Sequence, residues 1–339
     1  MNVQIFPSIL EKHDQELKNI FRDLISGLRI HHNGEKYVVG QLALTEGVSP
    51  HKIINSYPSD TDFQVLMKAA LLLASAKTEG PINLTLGFPY STYMINREEA
   101  IQFLSGKQEI SYDQFSIGKS ISKTVTVEVD SVDVTPEIIG CGSAVRAEMQ
   151  TSDNVFVANL GYGTFEACLT NETGIVDRTV ISAQGLHYAI HDSMAELKRK
   201  YYLGMKNDHQ YDFNFQKGFV FLNRKKVDLT GMRKKSLTKY YNELISPTIR
   251  NTWKDADFEN TEKLVIAGGG AFYQDLVDLF KEEFGSFLKV EIFQNPHEAV
   301  AKGYCSQSKK KAGTGNTAVG VDLGNAQTVV VTSNDLGMM

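Results

Sequence analysis

VGVDLGNAQTVVVT, residues 319–332, aligns without a gap to FVANLGYGTFEACL, residues 156–169. The match sets Asp322 over Asn159, Leu323 over Leu160 and Gly324 over Gly161, about half a chain length apart in a protein of 339 residues. Repetition on that scale is the signature of a duplicated domain. Each copy reads as an apolar strand, a glycine-containing turn and a second strand. Such a turn can aim successive backbone N–H groups at phosphate oxygens, and glycine lets the backbone come close. Asp322, at the end of its strand, is suited to orienting the water shell of a magnesium ion that accompanies a nucleotide. Two such hairpins could clamp one triphosphate. Gly161-x-Gly163 also suggests a dinucleotide loop, but that loop opens a helix, and here the residues after Thr164 continue as a strand.

The rest of the composition narrows the field. A chain of this length exceeds what one hydrophobic core usually holds, so two lobes are expected. Hydrophobic residues make up 42% and charged residues 22%, which excludes disorder as the main state. The net charge of −5 argues against a dedicated polyanion binder and makes direct nucleic-acid binding unexpected. Cys141, Cys168 and Cys305 are widely spaced and odd in number, which suggests neither a disulfide framework nor a zinc site and points to a reducing, cytoplasmic setting. The longest apolar stretch, residues 65–76, is interrupted by Lys68 and is far short of the ~20 residues a membrane helix needs. No membrane partner and no signal peptide are expected.

Helix is predicted over residues 62–76, rich in strong helix formers behind the capping residues Ser59, Asp60 and Thr61. A strand follows over 82–89, closed by Gly87 and Pro89, and 121–134 reads as a further strand or hairpin. Helices are expected over 185–205 and over 237–253, the latter punctuated by Pro247, with 207–231 polar and irregular apart from a strand-like GFVFL. LVIAGGGAF, residues 264–272, is a buried strand and a glycine turn leading into an amphipathic helix. Basic triplets at 198–200, 224–226, 233–235 and 309–311 read as solvated surface. SQSKKKAGTGNTA, residues 306–318, lacks large apolar residues and reads as a linker. Mixed elements of these lengths imply an α/β class.

Several short motifs now combine. The paired hairpins, VTPE at 134–137, LVIAGGGAF and NPHEAVAKGY at 295–304 together resemble the actin-like ATPase superfamily. YVVGQLA at 37–43, LTLGFPYSTY at 84–93 and QIFPSIL at 4–10 make the chain similar to the ParM type of plasmid-segregation and archaeal actins. The resemblance implies an actin-like two-domain α/β fold built from duplicated ribonuclease-H-like domains. It also implies an ATPase that binds ATP, or GTP, with Mg2+. By the same resemblance Asp322, Gly324, Asn325 and Gln327 form the first phosphate loop, with Asp322 holding the metal through water. Asn159, Gly161, Tyr162, Gly163 and Thr164 form the second, Gly268, Gly269 and Gly270 the adenosine loop, and Glu137 positions the attacking water. A carboxylate can orient a water in line with a γ-phosphate.

Two residues depart from the family pattern. The second hairpin usually begins with Asp where this chain has Asn159, removing a negative charge near the metal. The first often carries Lys where this chain has Val329. Nucleotide binding tolerates both changes better than fast hydrolysis does. Order departs too. In the family the first hairpin opens the chain, whereas here it follows everything else, as in a circular permutation. The expected organisation is residues 1–150 with 319–339 as one domain, 151–305 as the other, and 306–318 as the permutation linker, whose about 13 residues can span about 40 Å. The cut would fall at the hairpin tip SNDLG, residues 333–337.

The function implied is a filament-forming nucleotidase of a bacterial or archaeal cytoskeleton, polymerising with itself and reaching plasmid DNA through a separate DNA-binding adaptor. A soluble small-molecule kinase of the same superfamily and a non-hydrolysing assembly protein are the alternatives.

Overall fold

The computed structural model describes residues 1–17, 23–52, 57–78, 80–116, 119–201, 208–222, 224–313 and 315–333. In chain order the strands are β1 (Asn2–Pro7), β2 (Ile9–Lys12), β3 (Arg29–His32), β4 (Glu35–Val39), β5 (His51–Lys52) and β6 (Ile82–Phe88). There follow β7 (Gly106–Ser116), β8 (Lys119–Pro136), β9 (Asn154–Leu160), β10 (Thr164–Asn171), β11 (Gly174–Ile175) and β12 (Ile181–Gln184). The last six are β13 (Phe219–Leu222), β14 (Lys225–Asp228), β15 (Thr261–Ala267), β16 (Lys289–Ile292), β17 (Thr317–Leu323) and β18 (Gln327–Ser333). The α-helices are α1 (Gln41–Glu46), α2 (Thr61–Ser75), α3 (Tyr93–Leu104), α4 (Glu137–Met149), α5 (His187–Tyr201) and α6 (Asp208–Lys217). Then come α7 (Thr230–Tyr240), α8 (Ser246–Thr252), α9 (Asp255–Glu259), α10 (Gln274–Phe284) and α11 (Ala299–Lys311).

Two compact units result: residues 1–144 with 300–339, and residues 145–299, the boundaries falling inside α4 and at the start of α11. The first is built on a ten-stranded sheet in the order β1-β18-β17-β6-β8-β7-β3-β4-β2-β5. Its core is dominated by α2, which buries residues all round, from Phe63 through Ala74, against β18, β17, β3 and β8. An apolar helix of this kind gains roughly 1.5–3 kcal/mol for each large side chain fully buried. The second unit carries the order β11-β10-β9-β15-β16, with β12 also on β10. Its only tryptophan in the chain, Trp253, stacks on Phe156 of β9 with ring centroids 4.1 Å apart.

The sequence echo is a topological one. In the first unit β17 lies between antiparallel β18 and parallel β6, with β1 antiparallel beyond β18 and β8 parallel beyond β6. In the second, β9 lies between antiparallel β10 and parallel β15, with β12 antiparallel beyond β10 and β16 parallel beyond β15. Five strands repeat in the same order and sense. Both units therefore carry their hairpin at the same place in the same small sheet.

Three expectations need correction. The stretch read as a linker, 306–318, is mostly regular: α11 runs to Lys311 and β17 begins at Thr317, leaving only 312–316 between them. Serine and lysine are helical here because Ser308 is buried and donates its Oγ–H to the Asn83 carbonyl, while Lys311 pairs with Asp133 at 2.7 Å. Cations in a last turn also suit the helix dipole. The segment 207–231 is more ordered than its polarity suggests, holding α6 and the β13–β14 ribbon. Helix over 237–253 is interrupted by a π-turn, Tyr241–Ile245, after which Pro247 sits in the first turn of α8, where its missing N–H costs nothing. The tip SNDLG lies, after Ser333, outside the described residues. Among the described residues no helix is long and apolar enough to cross a membrane.

Candidate functional site

In the first unit, the parallel strands β17, β6 and β8 end together. Val321 pairs with Leu86, Leu86 with Val134, and Phe88 with Pro136, so the last residues of β17 and the first of α4 come out at one end of the sheet. Asp322 and Gly324, on or just after β17, and Glu137, the first residue of α4, are thus brought to the same sheet end from residues far apart in sequence. Asn325 and Gln327 complete the turn into β18. The turn is anchored from β1: Ser8 N–H donates to the Ala326 carbonyl at 3.1 Å, and the Ser8 and Thr328 hydroxyls share a buried hydrogen bond at 2.9 Å. Desolvation pushes the carboxyl of half-buried Asp322 up to about 7.

Val329 stands opposite Asp322 in the hairpin and is 2% exposed, packed with Ala301, Cys305, Ala318 and Val331. The position is a core position in this chain. That accounts for an apolar residue where the family often has Lys.

Close approach of α11 to α4 sets where Glu137 stands. A Cβ on Gly303 would lie 1.8 Å from the Gly140 carbonyl oxygen, and one on Gly140 2.5 Å from the Tyr304 ring. Tyr304, fully buried, also fills the space over Gly87 of β6. Gly140, Gly303 and Tyr304 are supporting residues to which the sequence assigned no role, although the GY of NPHEAVAKGY carried the signal.

In the second unit the hairpin tip is held from behind. The carbonyls of Gly161, Tyr162 and Gly163 accept hydrogen bonds from the N–H groups of Leu186, His187 and Gly185 at 2.9–3.0 Å. All peptides described are trans. Because a trans peptide points its N–H opposite to its C=O, the amides of Tyr162 and Gly163 are turned away from that packing, in the manner of an anion nest. Thr164 starts β10. Asn159, at 4% exposure, pairs with Ala267 of β15, and Gly268 follows at once.

The three glycines expected to form an adenosine loop have three different reasons. Gly268 has φ +80° and ψ 169°, and a Cβ there would meet the Leu160 carbonyl oxygen at 2.6 Å and Asn159 Oδ1 at 2.7 Å. Gly270 lies against Leu160, whose Cβ would be 2.5 Å away. At Gly269 a Cβ meets nothing within 4 Å, so the protein's own packing does not demand glycine there. Phe272, on the same turn, is 64% exposed beside His297, with ring centroids 5.2 Å apart, and offers an aromatic face for stacking.

A carboxylate missed in the sequence stands where Asn159 lacks one. Glu166 of β10 is directly opposite Asn159, hence on the same face of the sheet, and is fully buried with Ser182 Oγ donating to Oε1 at 3.2 Å. Only strand register could reveal it. Among the described residues no group of three or more His, Cys, Asp or Glu side chains is arranged to hold a metal ion directly. Asp322, a single carboxylate at the end of β17, suits a hydrated cation carried by phosphates rather than a protein cage.

Residues 1–140 match the family model described as the N-terminal domain of actin-like proteins. No curated protein sequence matches the chain. Among solved structures, an archaeal actin homologue in its native form is similar at a TM-score of 0.70 and 16% identity, over 90% of this chain and 92% of that one. The same homologue in complex with ADP gives 0.66 and 15%, over 90% and 92%. A subunit of a 15-stranded ParM filament from Clostridium botulinum gives 0.67 and 16%, again over 90% and 92%. The fold is actin-like, in two domains.

Proposed function

We propose that this actin-like chain is a nucleotide-dependent, filament-forming nucleotidase of the ParM type, and that its two hairpins hold the phosphates of a nucleoside triphosphate. The observation that carries the reading is the convergence of Asp322 and Glu137 at one sheet end, with the turned-out amides of the second hairpin at the equivalent place in the repeated sheet. The ADP complex of one structural relative and the filament of another support it. Glu137 orients the attacking water and accepts its proton. Asp322 orders the hydration shell of Mg2+, which when bound neutralises charge on the phosphates. Gly268 to Gly270 admit the nucleoside, with ATP preferred and GTP the alternative. Head-to-tail contacts that do not close generate an open filament, and hydrolysis returns the subunit to a weaker-binding conformation.

A circularly permuted order fits the pairing of β18 with β1, which brings the two ends of the chain onto adjacent strands. A cytoplasmic setting and plasmid segregation through an adaptor are part of the same reading by analogy. Asn159 favours one alternative, a filament protein that hydrolyses slowly or not at all, and Glu166 opposite it argues the other way.

Sedimentation and electron microscopy with and without ATP and Mg2+, paired with phosphate release, test the reading. Pelleting that requires the triphosphate supports it. A protein that stays soluble and phosphorylates a sugar or carboxylate overturns it in favour of a kinase. Polymer without sustained phosphate release supports the non-hydrolysing alternative.

A further inference from the structure

Three of the basic triplets lie in one segment of the second unit. Residues 198–239 hold twelve Lys and Arg against three Asp and Glu, a net charge of +9 in a chain whose total is −5. The fold gathers this charge. Lys235 pairs with Glu196 at 2.9 Å and Lys239 with Asp192 at 2.7 Å, so α5 and α7 run antiparallel, and the end of α5, with Lys198, Arg199 and Lys200, lies beside the start of α7. The β13–β14 ribbon leaves from that same end: Leu229 N–H donates to the Gly218 carbonyl at 2.8 Å, and the Arg233 guanidinium to the carbonyls of Phe215 and Gln216.

Among the described residues little neutralises the result. Arg199, Lys200, Lys217, Arg224, Lys225 and Lys234 are exposed and form no ion pair among the described residues. Asp212 is buried, and Asp228 accepts from the Thr230 hydroxyl at 2.6 Å. The ribbon adds aromatic surface. Phe221 is opposite Lys226 and Phe219 opposite Asp228, placing both rings on one face, edge to face at 5.9 Å. The Lys226 ammonium sits 4.1 Å from the Phe219 ring centroid, and Phe221 is 66% exposed. At the tip Arg224 is held at φ 65°, a left-handed conformation uncommon for a residue other than glycine.

Solvation explains exposed lysines but not an exposed phenylalanine, Phe221, set among them with half-buried Phe219 on the same face. A membrane-inserting loop would carry its apolar residues at the tip, where this ribbon carries Arg224 and Lys225. A two-stranded ribbon is one of the elements that fits the major groove, and flanking cations on phosphates supply affinity through counterion release. We propose that the β13–β14 ribbon and the adjoining ends of α5 and α7 form a binding surface for double-stranded nucleic acid, the ribbon entering a groove while its own cations and those at the helix ends contact phosphates. Such a surface departs from the expectation, drawn from whole-chain charge, that the protein does not bind nucleic acid directly.

The test is fluorescence anisotropy of a labelled DNA duplex of roughly 25 base pairs, long enough to cover a typical site, with the full chain free of nucleotide and titrated across salt concentrations. The wild-type protein is expected to bind with a steep salt dependence. Arg224→Gln/Lys225→Gln/Lys226→Gln should weaken binding at least about tenfold and flatten the log–log salt slope by about 2.7, three phosphate contacts at about 0.9 each. Phe221→Ala should weaken binding with the slope unchanged. A control with the same charge change on the other unit, Lys107→Gln/Lys123→Gln/Lys310→Gln, should bind as wild type. No duplex binding at low salt, equal loss in both triple variants, or equally tight and equally ribbon-dependent binding to anionic phosphatidylserine vesicles would each overturn the proposal. Unchanged thermal unfolding of the ribbon variants guards against a folding artefact.

Discussion

Substituting the glycines of the proposed adenosine loop one at a time separates what the fold requires from what a ligand requires. Gly268→Ala places a methyl group in a backbone region that is essentially glycine-only, at about 1–3 kcal/mol. It also forces that methyl within 2.6 Å of the Leu160 carbonyl oxygen, an overpacking of about 1–3 kcal/mol more. Together these amount to roughly 2–6 kcal/mol, and for a unit of this size a shift in melting temperature on the order of 10 °C. Gly269→Ala meets no atom within 4 Å and starts from an unstrained φ, so its melting temperature should stay within about 2 °C of wild type, as for a surface substitution within ±0.5 kcal/mol. The readout is Trp253 fluorescence, which reports on the second unit alone because the chain has a single tryptophan, stacked there on Phe156. Titration with a fluorescent ATP analogue then completes the contrast: Gly269→Ala should lose at least about tenfold in affinity while remaining folded, about 1.4 kcal/mol. Full affinity in a folded Gly269→Ala protein would remove this loop from the nucleotide site. Full stability in Gly268→Ala would refute the steric reasoning.

Three further outcomes are expected. Glu137→Ala should assemble with ATP yet release phosphate at least tenfold more slowly, about 1.4 kcal/mol in barrier, and unchanged release would exclude Glu137 from the chemistry. Asp322→Ala should abolish nucleotide-dependent pelleting while leaving the Trp253 melt unchanged; retained pelleting would reduce the first hairpin to a plain turn. The Arg178 guanidinium, hydrogen-bonded to both oxygens of Asp257, holds that carboxyl below its ordinary value, so its contribution to stability is present above the usual carboxylate range and is lost as pH falls through the depressed value. Asp257→Asn should accordingly be less stable than wild type at pH 7, with the gap in the Trp253 transition narrowing in acid; a gap independent of pH would assign the loss to packing.

Legibility in the sequence followed the range of the interaction. Helix α2 was readable because its capping residues and its run of helix formers are local, and the hairpins because strand, glycine and strand are consecutive. LVIAGGGAF was readable as a strand and turn, but not why each glycine is there, since the clashes at Gly268 and Gly270 come from Leu160, a hundred residues away in the chain. Glu166 was invisible for the same reason: it becomes a neighbour of Asn159 only through register. The Lys309–Lys311 run misled because composition alone reads lysine and serine as loop, whereas burial of Ser308 and the pairing of Lys311 with Asp133 favour helix.

The order of the chain was the most anomalous feature of the sequence, and the sheet explains why it is tolerable. The β17–β18 hairpin owes its position to pairings with β1 on one side and β6 on the other, six and five residue pairs long, between segments far apart in sequence. None of those hydrogen bonds depends on which covalent neighbour the hairpin has. In the second unit the same five-strand arrangement is reached with its hairpin first, β9 and β10 preceding β12, β15 and β16. In the first unit the hairpin comes last. Two chain orders that yield one strand order mean that pairing partners, rather than connectivity, specify this sheet. The cost of closing a longer or rerouted connection rises only as the logarithm of its length, about 0.6 kcal/mol per doubling. The connection actually used, residues 312–316, is short, and α11 before it is fastened to the sheet by the close approach of Ala301 and Cys305 to Gly320. A bulky residue at Gly320 would therefore disturb the hairpin more than any change of length in the connection, because its Cβ would lie 2.3 Å from the Ala301 carbonyl oxygen, with backbone on both sides and no side chain free to give way.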